Sequence, residues 1–298
     1  MPFLYGVAAV NDRRKKQRIK KKQRVKTHRI GQIIASVIQF GHIPALWTGF
    51  IYQGALKQGC VPILTCWGCP LSLFSCPMGG LQHFFNLHLF PFYILGFFGA
   101  VGMLVGRMAC AWVCPFGMLQ DLLNKIKSVK LRLPEWMTYF KYAVLIGVAG
   151  IIAWFTMEPW FCKLCPAGIL EAGIPLVSVD KTGDIRALVG WLFWTKIVIL
   201  AGVVVFSIMI KRFFCRVFCP IGAIYSVFNR FSLVHFELTS ERCRNTDCRH
   251  CEKICPMDIN VYKNPNQKEC IRCLECVYNC PNVAVKLKFR KKAKLLNT

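Results

Sequence analysis

Two apolar runs in this 298-residue chain each lead into the same cysteine motif. FPFYILGFFGAVGMLV (90–105) is followed by GRMACAWVCPFG, and the apolar run 191–210 is followed by KRFFCRVFCPIG. Such runs are typical of membrane-spanning helices, because about 20 apolar residues cross a hydrocarbon core roughly 30 Å thick. The sequence therefore predicts two apolar helices, each followed directly by a Cys-x3-Cys-Pro motif.

The charge of the chain is concentrated near its two ends. Although 55% of the residues are hydrophobic, the formal net charge is +25. Residues 13–29 contain eleven Lys or Arg and no acid, and residues 286–294 contain six more. Basic flanks on a hydrophobic chain are typical of membrane proteins, whose cytoplasmic segments contact anionic lipid. No nucleic-acid motif accompanies these runs, so membrane lipid is the expected partner and nucleic acid is not.

Four stretches are long and apolar enough to be predicted as transmembrane helices. They lie at about 31–52, 88–106, 138–157 and 190–210. The first is interrupted by Gln39, His42 and Pro44. Because Lys and Arg are frequent before the first stretch and in 107–136, the positive-inside rule predicts that both termini are cytoplasmic. The expected protein is a multi-pass protein of the cytoplasmic (inner) membrane, with 53–87 and 158–189 facing outward.

The chain changes character after the last apolar run. Residues 237–285 are polar and rich in cysteine, which predicts a separate small domain. The predicted fold is an all-α membrane bundle of four transmembrane helices, in two pseudo-repeated helix pairs, joined to a small α+β domain of the bacterial two-cluster ferredoxin type. The predicted parts are a basic tail at 1–29, a membrane domain at 30–230 with halves at about 31–126 and 138–230, the ferredoxin domain at 237–285, and a basic tail at 286–298.

The membrane domain contains an internal repeat. At an offset of 105, residues 107–125 align with 212–230, which matches Arg107 with Arg212 and the first Cys-x3-Cys-Pro with the second. At an offset of 96, CWGCP (66–70) aligns with CKLCP (162–166). Internal repeats of this kind often build a pseudo-symmetric membrane core with its site at the interface between the halves.

The repeated cysteines predict two iron–sulfur clusters, because a 4Fe-4S cube needs four thiolates and each half offers two on each side of the membrane. The predicted inner ligands are Cys110, Cys114, Cys215 and Cys219. The predicted outer ligands are Cys66, Cys69, Cys162 and Cys165, with Cys76 as a candidate replacement for one of them. The alternatives are buried structural thiols at the inner site and disulfides at the outer site. Cys60 fits no pattern and is interpreted as structural or free.

The small domain carries the most specific motif in the chain. CIRCLECVYNCP has the bacterial ferredoxin spacing, and CRNTDCRHCEKICP is a variant with a longer first gap. In that arrangement three cysteines of each run bind one 4Fe-4S cluster and the fourth binds the other. Cluster 1 is therefore predicted at Cys243, Cys248, Cys251 and Cys280, and cluster 2 at Cys255, Cys270, Cys273 and Cys276.

A few polar residues near the predicted spans are candidates for a quinone site. They are His42, His83, His88 and Glu158. An ionisable residue within a membrane is a functional candidate by default, although His42 is also compatible with a structural role in the bundle. The sequence has no Cys-x-x-Cys-His, and its histidines are too few for a pair of b haems, so no haem is predicted.

The motifs CAWVCPFG, FCRVFCPIG and CIRCLECVYNCP resemble those of the NapH family, the ferredoxin-type membrane subunits of quinol dehydrogenases. The span region is similar also to the polyferredoxin-like parts of NosR and CcoG. The resemblance extends over nearly the whole chain from about residue 30. It implies four spans, cytoplasmic tail clusters and exchange of electrons with the quinone pool.

The predicted function is electron transfer through up to four 4Fe-4S clusters. Two tail clusters, an inner cluster and an outer cluster would carry single electrons between the quinone pool, near the outer face, and a redox partner such as an Fe–S or cytochrome subunit. In this interpretation the chain is an electron-transfer subunit of an oxidoreductase complex and has no catalytic side chain of its own. The alternative is an accessory protein that supplies electrons to a maturing metalloenzyme.

Overall fold

The computed structural model describes residues 29–48, 50–180, 183–187, 189–239, 243 and 248–289. Most of the two predicted basic tails therefore lies outside the described residues. Arg29 and residues 286–289 are the parts of those tails that the structure includes.

The described residues of the first half of the chain form six helices. They are α1 (29–39), α2 (Ala45–Thr48), α3 (Pro77–Asn86), α4 (Phe92–Val105), α5 (Met108–Trp112) and α6 (Pro115–Leu123). A short 3-10 helix, Ala55–Gln58, lies in the long loop before α3. Proline is the first residue of α3 and of α6, where its missing N–H costs no helical hydrogen bond.

The second half of the chain repeats this pattern with longer helices. They are α7 (Glu135–Thr156), α8 (Trp160–Leu164), α9 (Pro166–Val179), α10 (Asp184–Ala187), α11 (Trp191–Met209), α12 (Phe213–Val217) and α13 (Pro220–Phe228). Helix α7 starts as a 3-10 helix and widens into π-helical turns over Val144–Ile152. Helix α9 contains a similar widened segment over Ile169–Gly173.

Two helices are long and apolar enough to cross a membrane among the described residues. They are α7, at mean hydropathy 1.5, and α11, at mean hydropathy 2.2. Only 22% and 11% of their apolar windows are buried within the protein. They coincide with the predicted spans 138–157 and 190–210. Their exposed apolar surface distinguishes them from the core helices of a globular domain, which bury such residues.

The other two predicted spans have a different structure. Helix α4 lies within 88–106 but has 14 residues, which is about 21 Å at 1.5 Å per residue. The region 31–52 is not one continuous helix, because α1 ends at 39 and a turn precedes α2. Gly41 and Pro44 lie in that turn. Proline disfavours a helical conformation in the residue before it, which accounts for the break.

The C-terminal domain contains a two-stranded antiparallel sheet and two short helices. Strand β1 (Val234–Leu238) pairs with β2 (Val285–Phe289), with Val234 opposite Phe289 and Leu238 opposite Val285. Helices α14 (His250–Ile254) and α15 (Glu275–Tyr278) lie between the strands in sequence. The sheet thus extends a few residues beyond each end of the predicted range 237–285.

Candidate iron–sulfur sites

Four cysteines occupy the same local position in the fold. Each is the N-cap of a helix, has an extended backbone with φ near −70° and ψ between 112° and 127°, and is followed by a helix-initiating proline; they are Cys76, Cys114, Cys165 and Cys219. All four are at least 93% buried. A glycine follows two residues after each proline, so Cys-Pro-x-Gly occurs four times.

The inner quartet comes together from both halves of the membrane domain. Cys110 is on α5 and Cys114 caps α6, while Cys215 is on α12 and Cys219 caps α13. Cys114 and Cys219 lie in one hydrophobic core and Cys110 packs against it. Electrostatic interactions link Cys110 and Cys215 to both of them, so the four thiols form one group. Burial raises the pKa of each of these thiols. Metal coordination is the ordinary way for buried cysteines to become thiolates.

Two buried arginines cross the interface between the halves. Arg107 Nη2 donates to the Cys215 carbonyl at 3.5 Å, and Arg212 Nη1 donates to the Cys110 carbonyl at 3.2 Å. Each side chain is 1% exposed and contacts the half to which it does not belong. Both guanidinium groups also pair with a carboxylate, Arg107 with Glu269 and Arg212 with Asp121. They therefore offset only part of the negative charge of a cube with four thiolates. The four thiols supply the donor set that a 4Fe-4S cluster needs.

The glycines of the two inner Cys-Pro-x-Gly motifs leave room for these arginines. A Cβ at Gly117 would lie 3.1 Å from the Cys110 carbonyl oxygen and 3.4 Å from Arg212 Nη1. A Cβ at Gly222 would lie 3.2 Å from both Arg107 Nη2 and the Cys215 carbonyl oxygen. The glycine of each motif thus permits an arginine of the opposite half to approach closely, which the Cβ of any larger residue would obstruct.

A second pair of equivalent residues faces the inner thiols. Gln120 and Tyr225 are related by the same offset of 105, and each lies six residues after the capping cysteine of its helix. Gln120 Nε2 donates to Cys215 Sγ at 3.1 Å. The Tyr225 hydroxyl lies within electrostatic range of Cys110, is fully buried, and has no hydrogen-bond partner among the described residues. The sulfur atoms of a cluster would supply the acceptor that this hydroxyl lacks.

Both predicted tail quartets also come together. Cys255, Cys270, Cys273 and Cys276 line one small cavity. Cys243, Cys248, Cys251 and Cys280 line another. The longer gap after Cys243 therefore does not prevent that residue from reaching its predicted group. The donor sets fit the two cubes of a bacterial ferredoxin domain.

The tail domain is joined to the inner site by buried polar contacts. Trp112, between the two inner cysteines of the first half, donates from Nε1 to the Arg272 carbonyl at 3.3 Å. Arg272 lies between Cys270 and Cys273 of the second tail quartet. Cys110 and Ala111 pack into the hydrophobic core that contains Cys270. The inner site and the second tail site are therefore neighbours in the fold.

One acidic residue of the tail domain pairs with two buried cations of the membrane domain. Glu269 pairs with Arg107 at 2.7 Å and with Lys141 near the start of α7. Burial opposes the ionisation of Glu269, but the charges of Arg107 and Lys141 outweigh it and lower the pKa of the carboxyl group. Sequence spacing could not have found this pair, because Arg107 and Glu269 are 162 residues apart.

The outer cysteines lie where the long loop of the first half meets α8 and α9. Cys66 N donates to Glu171 Oε2 at 2.8 Å, and Cys162 N donates to Gln82 Oε1 at 3.2 Å. The charges of both Cys66 and Cys76 act on the Cys162 thiol. Cys69 ends a tight turn from Cys66, and its carbonyl accepts a hydrogen bond from the buried Lys57 at 3.4 Å. All five outer cysteines are therefore close to this junction.

The four quinone candidates have separate environments. His42 Nδ1 lies 3.2 Å from the Pro70 carbonyl oxygen, and the His88 ring packs edge-on against Trp154 at 4.4 Å. His83 is exposed, and Glu158 pairs with Lys163 at 2.7 Å. These contacts assign them no common site, and the quinone site stays a prediction.

Among the residues that the structure describes, no three Cys, His, Asp or Glu side chains converge as ligands of a single metal ion. A 4Fe-4S cube binds each thiolate to a different iron atom, so its ligands do not need to converge on one point.

A family described as "4Fe-4S binding domain" matches the chain twice, at 87–134 and at 190–238. Each match contains one apolar helix and the Cys-x3-Cys-Pro motif that follows it. Together the two segments cover about a third of the chain. The chain also matches the ferredoxin-type protein NapH of Haemophilus influenzae, at 23% identity over 66% of this chain and 66% of NapH. The chain thus contains two segments that match a 4Fe-4S binding domain, and over about two thirds of its length it is similar to ferredoxin-type proteins.

Other proteins are similar over comparable parts of the chain. An uncharacterized protein of Methanocaldococcus jannaschii is 31% identical over 62% of this chain and 65% of its own length. The regulatory protein NosR of Stutzerimonas stutzeri is 30% identical over 62% of this chain and 25% of its own length. The chain thus spans less than two thirds of each of these relatives. No solved structure matches it.

Proposed function

We propose that this protein relays electrons across a membrane through a series of 4Fe-4S clusters. The two tail quartets and the inner quartet would each bind one cube, and the outer cysteines would bind a fourth. The clusters supply the one-electron chemistry, while the protein fixes their positions and adjusts their potentials. Electron tunnelling weakens steeply with distance, so relay sites are needed across a bilayer core roughly 30 Å thick.

The apolar helices support a position in the membrane. Large aromatic residues are exposed near both ends of α7 and at the start of α11, including Trp136, Trp154, Trp191 and Trp194. Tryptophan is enriched where membrane helices meet the headgroups. The four-span bundle is also a proposal. In it, α1 and α4 would form the other two spans, although both are shorter than a standard transmembrane helix.

Three helix ends support a common orientation for the predicted spans. The tail domain contacts the end of α4 through Arg272 Nη1 and the Val105 carbonyl, at 2.9 Å. It contacts the start of α7 through Glu269 and Lys141, and the residues just beyond α11 through Lys211 and Asp258 at 2.7 Å. Chains that cross a membrane in alternating directions bring such ends to one face. The basic residues nearby favour the cytoplasmic side for that face.

The contact between Trp112 and Arg272 is the observation that carries the proposal. It joins α5, which carries Cys110 of the inner quartet, to the loop of the second tail quartet, directly across the contact between the membrane domain and the tail domain. A soluble ferredoxin on a passive anchor would not need its cluster loop packed against a second cysteine quartet. The expected electron path therefore runs from one tail cluster to the other, and then to the inner and outer sites.

A basic cleft supports an acidic redox partner on the tail side. A cavity of about 610 Å³ is lined by Arg29, Lys125, Lys211 and Lys253, and also by Cys255 and Cys273 of the second tail quartet. A positive surface beside a cluster would attract and orient an acidic electron carrier. At the opposite face, quinone or quinol is the proposed partner, with His42, His83, His88 and Glu158 as candidate contacts.

The proposal is tested by counting iron and acid-labile sulfide in anaerobically purified protein. Four cubes require about 16 irons per chain, and the tail domain alone requires about 8. We expect a Cys110→Ala/Cys215→Ala double variant to lose about 4 irons. A value near 8 that the double variant leaves unchanged would overturn the relay, because the membrane cysteines would then bind no cluster.

A further inference from the structure

The outer site has five candidate cysteines for four positions, and the fold distinguishes among them. We infer that Cys66, Cys76, Cys162 and Cys165 bind the outer 4Fe-4S cluster and that Cys69 is not a ligand. This inference rests on the proposed function. It departs from the alignment of CWGCP with CKLCP, which makes Cys69 the counterpart of Cys165.

The first reason is the local structure around each second cysteine. Cys114, Cys165 and Cys219 all cap a helix that begins with proline, and Cys76 does the same at α3. Cys69 is also followed by proline, but residues 70–75 form turns and an isolated bridge rather than a helix. In structural terms, the counterpart of Cys165 in the first half is therefore Cys76.

The second reason is a contact that recurs on three of these four helices. The residue six positions after the capping cysteine hydrogen-bonds the first cysteine of the opposite half. At the inner site Gln120 makes this contact with Cys215, and Tyr225 occupies the equivalent position on the fourth helix. At the outer site the contact pairs Gln82 with Cys162 and Glu171 with Cys66. Counting from Cys69 would place the sixth residue at Ser75, which instead hydrogen-bonds Gly59.

The third reason is an unpaired buried donor. Gln82 is fully buried, and its Oε1 accepts a hydrogen bond from Cys162 N. Its Nε2 has no partner among the described residues. The equivalent amide nitrogen of Gln120 donates to a cysteine sulfur. A cluster sulfur or thiolate at the outer site would satisfy Gln82 in the same way.

The surroundings of Gly168 are consistent with this grouping. Cys66 Sγ lies 3.7 Å from the position of a Cβ on Gly168, and Cys165 Cβ lies 3.8 Å from the same point. Cys165 interacts electrostatically with Cys162, Cys76 and Cys66. These contacts bring cysteines of both halves to one group.

The Tyr225 hydroxyl connects this site to the inner one. It lies within electrostatic range of Cys110 at the inner site and of Cys76 at the outer site. With Cys76 as a ligand, the buried Tyr225 side chain would interact with ligands of both sites. The outer cluster is then the next relay site after the inner one.

The test compares two matched variants of the full-length protein, Cys76→Ala and Cys69→Ala. Both positions are buried in the same loop region, and the Cys76 side chain makes no capping hydrogen bond that alanine would remove. Iron and acid-labile sulfide per chain would be measured after anaerobic purification. We expect Cys76→Ala to lose about 4 irons and Cys69→Ala to lose none. Retained electron paramagnetic resonance signals of the tail clusters would show that each variant is folded.

Three other outcomes would each overturn the inference. Loss of about 4 irons in Cys69→Ala alone would restore the quartet with Cys69. No loss of iron in either variant, with wild-type iron near 12, would mean that the outer cysteines bind no cluster. The proposed relay would then end at the inner site. In that case the Cys110→Ala/Cys215→Ala variant would still lose iron. Zinc in place of lost iron would indicate a different metal site.

Discussion

Gln120 Nε2 donates a hydrogen bond to Cys215 Sγ at 3.1 Å, across the interface between the two halves of the membrane domain. The amide is held in this orientation because its Oε1 accepts a hydrogen bond from Phe214 N at 3.1 Å. The Gln120 side chain therefore accepts a hydrogen bond from the backbone of the second half and donates one to the sulfur of a proposed ligand in that half. Hydrogen bonds to ligand sulfurs are one of the means by which proteins set cluster potentials.

Replacing Gln120 with leucine should lower the reduction potential of the inner cluster. A donor beside the thiolate stabilises the reduced cluster most, because that state carries more negative charge. Its loss is expected to shift the potential by some tens of millivolts, on the scale of one net hydrogen bond of about 1 kcal/mol. Redox titration monitored by electron paramagnetic resonance measures the shift. Gln53→Leu, at an exposed position, is the control and should leave the potential unchanged.

Tyr225→Phe tests the equivalent position in the other half. The hydroxyl is buried and lacks a protein partner among the described residues, so its removal costs no protein hydrogen bond. If a cluster sulfur accepts from Tyr225, the variant keeps its iron but lowers the inner-cluster potential, again by some tens of millivolts. An unchanged potential together with a higher unfolding temperature would contradict this role, since the hydroxyl would then be an unsatisfied group in every state.

The cysteine sets could be proposed from repeated spacing alone, and their ligand roles stay predictions, whereas the residues around them could not be proposed in this way. Cys110, Cys114, Cys215 and Cys219 meet because their motifs repeat at one offset, and the ferredoxin spacing brings the tail cysteines together in the same way. The repeat also relates Gln120 to Tyr225, but the two residue types differ, so alignment gives no sign of a shared role. The ion pairs of Glu269 could not be predicted for another reason. Its partners Arg107 and Lys141 are distant in sequence, and they meet Glu269 only when the tail domain docks.

The region 31–52 shows a limit of predicting helices from mean hydropathy. The mean over a window depends on the apolar residues in it, whereas the continuity of a helix depends on single positions such as Gly41 and Pro44. The outer loop gives a second case. The spacing Cys66-x2-Cys69 resembles Cys162-x2-Cys165 in sequence, yet the proline-initiated helix follows Cys76 and not Cys69. Local spacing thus identified a real motif but did not identify its structural equivalent.

Gly222→Ala should weaken the inner site, because the new Cβ would lie 3.2 Å from both Arg107 Nη2 and the Cys215 carbonyl oxygen. Arg107 must then move from its place beside the quartet, and we expect the variant to bind fewer irons, by up to about 4 per chain. Gly79→Ala is the matched control, since it lies in the same Cys-Pro-x-Gly motif but a Cβ there meets nothing within 4 Å. Equal iron contents in the two variants would show that the close approach is not required.

Glu269→Gln should loosen the tail domain from the membrane domain. The substitution leaves Arg107 and Lys141, which are 1% and 0% exposed, without their shared carboxylate. Removing one partner of a buried ion pair typically destabilises a protein by about 3–5 kcal/mol. We expect a lower unfolding temperature and faster limited proteolysis between the domains, with the iron of the tail clusters retained. Glu237→Gln is the matched control, because Glu237 pairs with Lys288 on the surface and should cause no measurable change. If the two variants unfold and are cleaved alike, the buried pair does not hold the tail clusters against the inner site. The other contacts between the domains, such as Arg272 with Val105 and Lys211 with Asp258, would then be sufficient.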